Sequence, residues 1–145
     1  MLRGNIPAKV DEKGRLKIPA DFLGELREHG DRFYVTSDDG NRAWIYPMKA
    51  WGEIEDKLAK VPSYDRAKRK FFDRTNYYGQ VVELDGQARL LIPTVLREAA
   101  QVKGDVDVIG NRTYLEVWNH DRFIDNMSKN PMTDEDRKAL ADAGI

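Results

Sequence analysis

Hydrophobic and polar residues alternate first over Ile6–Asp11. Ile6, Ala8 and Val10 fall on one face, and Pro7, Lys9 and Asp11 on the other. This period of two predicts a half-buried strand, with Pro7 at an edge or a strand start because proline donates nothing to a ladder. Asp11-Glu12-Lys13-Gly14 is turn chemistry: Gly14 can take a positive φ and Asp11 can accept from nearby amides. Alternation resumes with Leu16 and Ile18 inward and Arg15 and Lys17 outward, and Pro19 then opens a helix striped by Phe22, Leu23 and Leu26. Two further strands, Phe33–Thr36 and Ala43–Tyr46, flank the loop Ser37-Asp38-Asp39-Gly40-Asn41. Pro47 opens a helix with Met48, Trp51, Ile54, Leu58 and Val61 at helical spacing, and Pro62-Ser63 ends it. The next helix places Tyr64, Ala67 and Phe71 on one side and Arg66, Lys70 and Arg74 on the other, with Lys68 and Arg69 adding charge.

The second half repeats this plan. Leu84-Asp85-Gly86-Gln87-Ala88-Arg89-Leu90-Leu91-Ile92-Pro93 matches Val10–Pro19 in type or identity at six of ten positions, which makes an internal duplication the first constraint on the architecture. Gln80–Leu84 and Arg89–Ile92 are the hairpin strands. Pro93 opens a helix with Val95, Leu96 and Ala99, and Val106–Ile109 and Thr113–Trp118 are again two strands. Their loop, Gly110-Asn111-Arg112, echoes Gly40-Asn41-Arg42. A helix follows from Asn119 with Phe123, Ile124 and Met127, and Thr133-Asp134-Glu135-Asp136 has the form of a capping box before a short exposed helix. The expected organisation is a first repeat over 1–62, a basic connecting helix over 63–78, a second repeat over 79–132 and a tail over 133–145.

Composition narrows the class. At 145 residues, 41% hydrophobic and 34% charged, the chain has room for one ordinary core or two small ones sharing an interface. It contains no cysteine, which excludes disulfides and thiolate metal sites. No apolar run approaches the roughly 20 residues of a membrane span, and the N-terminus lacks the apolar core of a signal peptide, so a cytoplasmic location is expected. The net charge of −1 gives no overall push toward a polyanion. The distribution does: residues 1–75 hold 16 Lys and Arg against 13 Asp and Glu, and the remainder 8 against 12.

Candidate chemistry is sparse for an enzyme. His29 and His120 both stand in polar surroundings and read as solvated surface groups, and no phosphate-binding, dinucleotide or nucleophile-elbow motif occurs. Asp11 and Asp85 have structural work in their turns, beside Gly14 and Gly86. No catalytic residue, cofactor, metal or small-molecule substrate is expected. Lys9, Lys13, Arg15 and Lys17 are more informative. They lie on or between two adjacent strands, a ribbon narrow enough for a major groove, and Arg15 can engage two acceptors at once. The competing explanation is a solvated strand face with Arg15 paired to Asp11. In the second copy Arg89 remains, while Gln87 replaces the lysine, Ala88 the glycine and Leu91 the counterpart of Lys17. Alanine resists positive φ, which puts the same turn in question there, and Leu91 suggests a partly buried face. The run Arg66, Lys68, Arg69, Lys70 and Arg74 is a rival binding element or a solvated face. Trp44, Trp51 and Trp118 read as inward-facing core rather than as stacking platforms.

Met1-Leu2-Arg3-Gly4, Asp11-Glu12-Lys13-Gly14-Arg15, Ile18-Pro19, Asp85-Gly86-Gln87-Ala88-Arg89, Ile92-Pro93 and Leu96-Arg97-Glu98 together resemble the MraZ family of bacterial transcriptional regulators. The resemblance ends before the tail, at about Met132. It implies an α+β fold: tandem AbrB-like (SpoVT-AbrB) swapped-hairpin repeats forming a pseudo-twofold β-barrel with peripheral helices. It further implies a ring-shaped homo-oligomer, nucleoid-associated, that presents hairpins to repeated double-stranded DNA boxes upstream of the cell-division and cell-wall gene cluster. By position, Arg15 and Arg89 would face DNA, with Lys13 beside the former and Lys9, Lys17, Gln87 and Arg3 as further contacts. The sequence departs from the family at Ala88, and at Phe22-Leu23, where many relatives carry an arginine. The alternative from a different class is a structural or protein-interaction assembly on the same fold without DNA contact.

Overall fold

A computed structural model describes residues 1–145 as eight strands and six helices. In the first half these are β1 (Leu2–Val10), β2 (Arg15–Lys17), α1 (Ala20–Leu26), β3 (Arg32–Thr36), β4 (Ala43–Pro47), α2 (Met48–Ala59) and α3 (Arg66–Tyr77). The second half supplies β5 (Gln80–Glu83), β6 (Arg89–Leu91), α4 (Thr94–Ala100), β7 (Gly104–Arg112), β8 (Tyr114–Asn119), α5 (His120–Lys129) and α6 (Asp134–Ala141).

Neither half forms a sheet of its own. The strand order is β5-β3-β4-β8-β7-β1-β2-β6, antiparallel at every step described by the register. Hairpin partners β1 and β2 meet only at Val10 and Leu16, after which β2 turns to pair with β6 of the other half. The β5–β6 turn, bonded from the Asp85 amide to the Arg89 carbonyl at 3.0 Å, nearly closes the barrel. Exchanging β1 with β5, β2 with β6, β3 with β7 and β4 with β8 leaves this ring unchanged. A pseudo-twofold axis therefore passes between β2 and β6 on one side and between β4 and β8 on the other. The axis is marked by two reciprocal bonds, Ile18 N–H to the Ala88 carbonyl at 2.9 Å and Ile92 N–H to the Gly14 carbonyl at 2.8 Å.

The barrel interior takes alternate residues from both halves: Leu16, Ile18, Phe33, Val35 and Ile45 meet Leu90, Ile92, Leu96, Val108 and Leu115 in one continuous cluster. Because half of this apolar surface comes from each repeat, neither repeat can bury its share alone. Strand β4 is covered on both faces. Ala43 and Ile45 point into the barrel, while Trp44 and Tyr46 point outward under Trp51 of α2, with Phe71 of α3 and Tyr114 packed beside them. Tyr46 and Tyr114 stack at 4.3 Å between centroids.

Several local expectations change. Strand β1 begins at Leu2 rather than Ile6, because its first residues pair with β7 as far as Arg112. That pairing draws Gly110-Asn111-Arg112 into β7, so these residues are strand and not the loop that Gly40-Asn41-Arg42 occupies. Pro19, Pro47 and Pro93 stand at the N-cap, one residue before α1, α2 and α4, with ψ of 135°, 141° and 140° still extended from the preceding strand. Tyr64 precedes α3, whose N-cap is Asp65, and is exposed. Trp118 lies half-buried on the outer face against Phe123, not in the core, because Leu115 and Val117 take the inward positions of β8. On the open edge of β1 the proline and charges at Pro7, Arg3 and Lys9 deter pairing with another chain.

Leu16 and Leu90 face one another across the pseudo-twofold and are fully buried. Either leucine changed to alanine should cost about 2–5 kcal/mol. Because the core is shared, chemical denaturation should still show one transition for both halves.

Candidate nucleic-acid interface

The two duplicated turns are built by the same clamp. Asp11 Oδ1 accepts from the amides of Lys13 and Arg15, both at 2.9 Å, and its Oδ2 accepts from Arg15 Nε at 3.0 Å. Asp85 Oδ1 accepts from the amides of Gln87 and Arg89 at 2.8 and 2.9 Å, and its Oδ2 from Arg89 Nε at 2.9 Å. In each carboxylate the arginine amide bond is the largest cause of a pKa below the ordinary 3.8, since hydrogen bonds to the charged form favour it. The clamp also settles the doubt over alanine: Ala88 holds φ +59° where Gly14 holds +86°, and both donate their amide to the clamping residue's carbonyl. The left-handed conformation strains an alanine, and the three bonds that Asp85 accepts hold the turn in it.

The clamp leaves each guanidinium with work to spare, because only Nε is engaged and the Nη groups make no hydrogen bond within the chain. Strand register then brings the two turns' products together. Arg15 faces Leu91, Leu16 faces Leu90 and Lys17 faces Arg89. The leucine pair at the centre points into the barrel, so Arg15, Lys17, Arg89 and Leu91 share the outer face, with opposed pairs roughly 5 Å apart. Leu91 is 43% exposed, so the face is open in the single chain. Lys13 and Gln87 stand exposed at the two turn tips, and Gly86 lies in the second turn.

Not every candidate residue joins this cluster. Lys9 is opposite Asp105 and 3.9 Å from its carboxylate, with both side chains mostly exposed. Arg3, six residues along β1 from Lys9 and opposite Asn111, lies on the order of 20 Å away along the strand. Much of the basic charge of α3 is spent locally: Lys68 Nζ donates to the Val61 carbonyl, Arg69 pairs with Asp73 at 3.5 Å, and Arg74 donates to the Lys70 carbonyl.

The family model described as "MraZ protein, putative antitoxin-like" matches residues 1–74 and 79–142, one stretch for each repeat. The chain belongs to the MraZ family. It is similar to the protein named Transcriptional regulator MraZ of Acidobacterium capsulatum, 56% identical over 146 residues spanning the whole of both chains. The protein of the same name from Koribacter versatilis is 48% identical over 147 residues, again over the whole of both. That of Moorella thermoacetica is 40% identical over 124 residues, 85% of this chain and 84% of the relative. The MraZ match reaches residue 142 and so includes most of the tail, which the sequence resemblance did not. In this MraZ chain no helix is long and apolar enough to cross a membrane.

Two features near the interface had no clear signal in the sequence. Arg97 of α4 packs beneath the N-terminal turn, where its guanidinium occupies the space a β-carbon on Gly14 would take. His120, taken from the sequence as a solvated group, instead puts Nδ1 2.7 Å from Oδ2 of the buried Asp107, whose Oδ1 accepts from Asn5 at 3.1 Å. Spacing could not have paired them, because the contact depends on β7–β8 register and on the start of α5. The hydrogen bond and the charge of Asp107 raise the His120 pKa above its ordinary 6.5. A raised folded-state pKa contributes stability that is fully present below pH 6.5 and is lost as pH rises through the raised value. The stability advantage of the native chain over His120→Gln should therefore shrink between mildly acidic and alkaline pH, as measured by urea denaturation at each pH.

Proposed function

We propose that this chain is a sequence-specific DNA-binding transcriptional regulator of the MraZ type, acting as a nucleoid-associated homo-oligomer on repeated boxes of the promoter for the cell-division and cell-wall gene cluster. The observation that carries this is the β2–β6 register, which gathers Arg15, Lys17 and Arg89 on one open face. The relatives named as transcriptional regulators support the same class. The Asp11–Arg15 pair is exposed and screened by water, so the clamp orients Arg15 without withdrawing it from a phosphate or a base edge. With Nε tied to Asp11, the free Nη groups can address one acceptor pair in a fixed orientation.

One such face makes few contacts, and affinity then grows by engaging several boxes at once. Uncovered apolar side chains support oligomerisation. Ile124 and Met127 on α5, and Met132 and Leu140 around α6, are all more than 40% exposed. The occupant we assign to this apolar surface is another copy of the chain, and the ring is the arrangement that satisfies every copy equally.

Arg15→Ala should keep the fold and the oligomer and weaken operator binding by about ten- to a hundredfold per engaged subunit, read by gel-shift titration. Unchanged binding by that variant would remove the mechanism. Native binding should also fall steeply with salt, with a log–log slope of about −0.9 for each duplex phosphate neutralised; a flat profile would instead favour an assembly that does not touch DNA. The paired change Ile124→Asp with Met127→Asp should lower the mass measured by light scattering while the far-ultraviolet dichroism stays that of the native chain. An unaltered mass would exclude this surface as the subunit contact.

A further inference from the structure

The two turns are clamped alike but supported differently from below. Under the N-terminal turn, a β-carbon built on Gly14 would fall within 2.7 Å of Arg97 Cζ, and nearer still to Nη1. Gly14 is buried by this contact. Arg97 forms no ion pair, although Asp11, Glu12 and Glu98 line the same depression and its charge reaches Glu98; Asp11 is held instead by Arg15 at 3.0 Å and Glu98 by Lys103 at 2.8 Å. Its Nη1 is fully enclosed and has no hydrogen-bond partner. Burying an unpaired donor of a charged group is costly, so the flat guanidinium is held there by contact, as a wedge between α4 and the turn. Aligning the repeats through Asp11/Asp85 and Pro19/Pro93 sets Gly14 against Ala88 and Arg97 against Leu23. The residue pair is thus Gly with Arg at the N-terminal turn and Ala with Leu at the C-terminal one, each pair drawn from both halves. A turn residue without a side chain accompanies the bulky cation, and a methyl accompanies the aliphatic residue.

We propose that Arg97 is a positioning residue for the N-terminal hairpin. Its guanidinium fixes the turn that presents Lys13 and Arg15, and Gly14 is required for room as well as for its positive φ. The C-terminal hairpin has no cationic wedge of this kind, so the two halves of the outer face are mechanically unequal. The binding consequence rests on the DNA-contacting role given to Arg15 above; the mechanical claim does not.

The experiment pairs amide exchange with affinity in the full-length protein. Arg97→Leu should speed exchange at the amides of Lys13, Gly14 and Arg15 by about tenfold while leaving Gln87, Ala88 and Arg89 unaffected. It should also weaken operator DNA binding by about tenfold. Gly14→Ala alone should do at least as much harm, because its methyl meets the guanidinium. The double variant Gly14→Ala with Arg97→Leu, which recreates the Ala/Leu pair of the other turn, should be better than Gly14→Ala alone in both measurements. Additive losses in that cycle would overturn direct contact as the cause. Unchanged exchange in Arg97→Leu would overturn the wedge itself. Faster exchange in Arg97→Leu, in a protein whose native form binds no operator DNA, would keep the wedge and sink the DNA-binding proposal. Should Arg97→Leu fail to fold, the transplant of Leu23→Arg with Ala88→Gly supplies the converse test, with slower exchange expected at Arg89 and no change there refuting it.

Discussion

Everything in this molecule depends on three residues pairing with three: Arg15, Leu16 and Lys17 against Leu91, Leu90 and Arg89. Without that contact the first hairpin would hold itself only at Val10 and Leu16, and two-stranded hairpins of this length are marginal in water. With it, the inward leucines complete the barrel core and the outward side chains form the basic face. One register therefore serves stability and presentation together. A slip of β2 by one residue would turn Leu16 to solvent and bury Arg15 and Lys17, so selection for a closed core also holds the basic face in place.

The duplication was legible in the sequence, and so were the elements, because period-two and helical spacing are local signals. Leu16 and Ile18 inward, with Arg15 and Lys17 outward, follow from alternation alone. The interleaving of the halves is a long-range property that alternation does not encode; it came from the family resemblance and stands in the strand order. Errors fell where tertiary contact overrides local pattern. The Gly110-Asn111-Arg112 run has loop composition, yet β1 extends far enough to recruit it as a strand. Trp118 has the composition of core but occupies an outward position of β8. Ala88 carries an unfavourable φ inside a turn held by the amides that donate to Asp85.

Around the β2–β6 face, composition named a set of cations without separating its members. Lys9 and Lys17 looked equivalent as outward cations, and Arg3 entered only through the family resemblance. Their strands distribute them differently, with Lys17 opposite Arg89, Lys9 opposite Asp105 and Arg3 at the far end of β1. Arg97 was visible only as part of a family motif, since its place on the helix after Pro93 carries no signal of what it touches. The partner of His120 was equally hidden, because Asp107 is buried by register rather than by sequence context.

The net charge of −1 ceases to count against a DNA-facing surface once charge is placed in space. Within a Debye length of about 8 Å at physiological salt, a phosphate brought to the β2–β6 face would respond to the residues there and little to those beyond it. On that face Arg15, Lys17 and Arg89 gather against two clamping aspartates, which are themselves bound to arginine and backbone amides. Four of the chain's acidic residues lie in the exposed segment Asp134–Asp142, on a helix capped by Thr133 and Asp136. Acidic charge held there maintains solubility and opposes indiscriminate adhesion to polyanions. On the proposed reading, such a chain would need the β2–β6 face presented several times over to hold DNA, and that requirement would itself be a source of specificity.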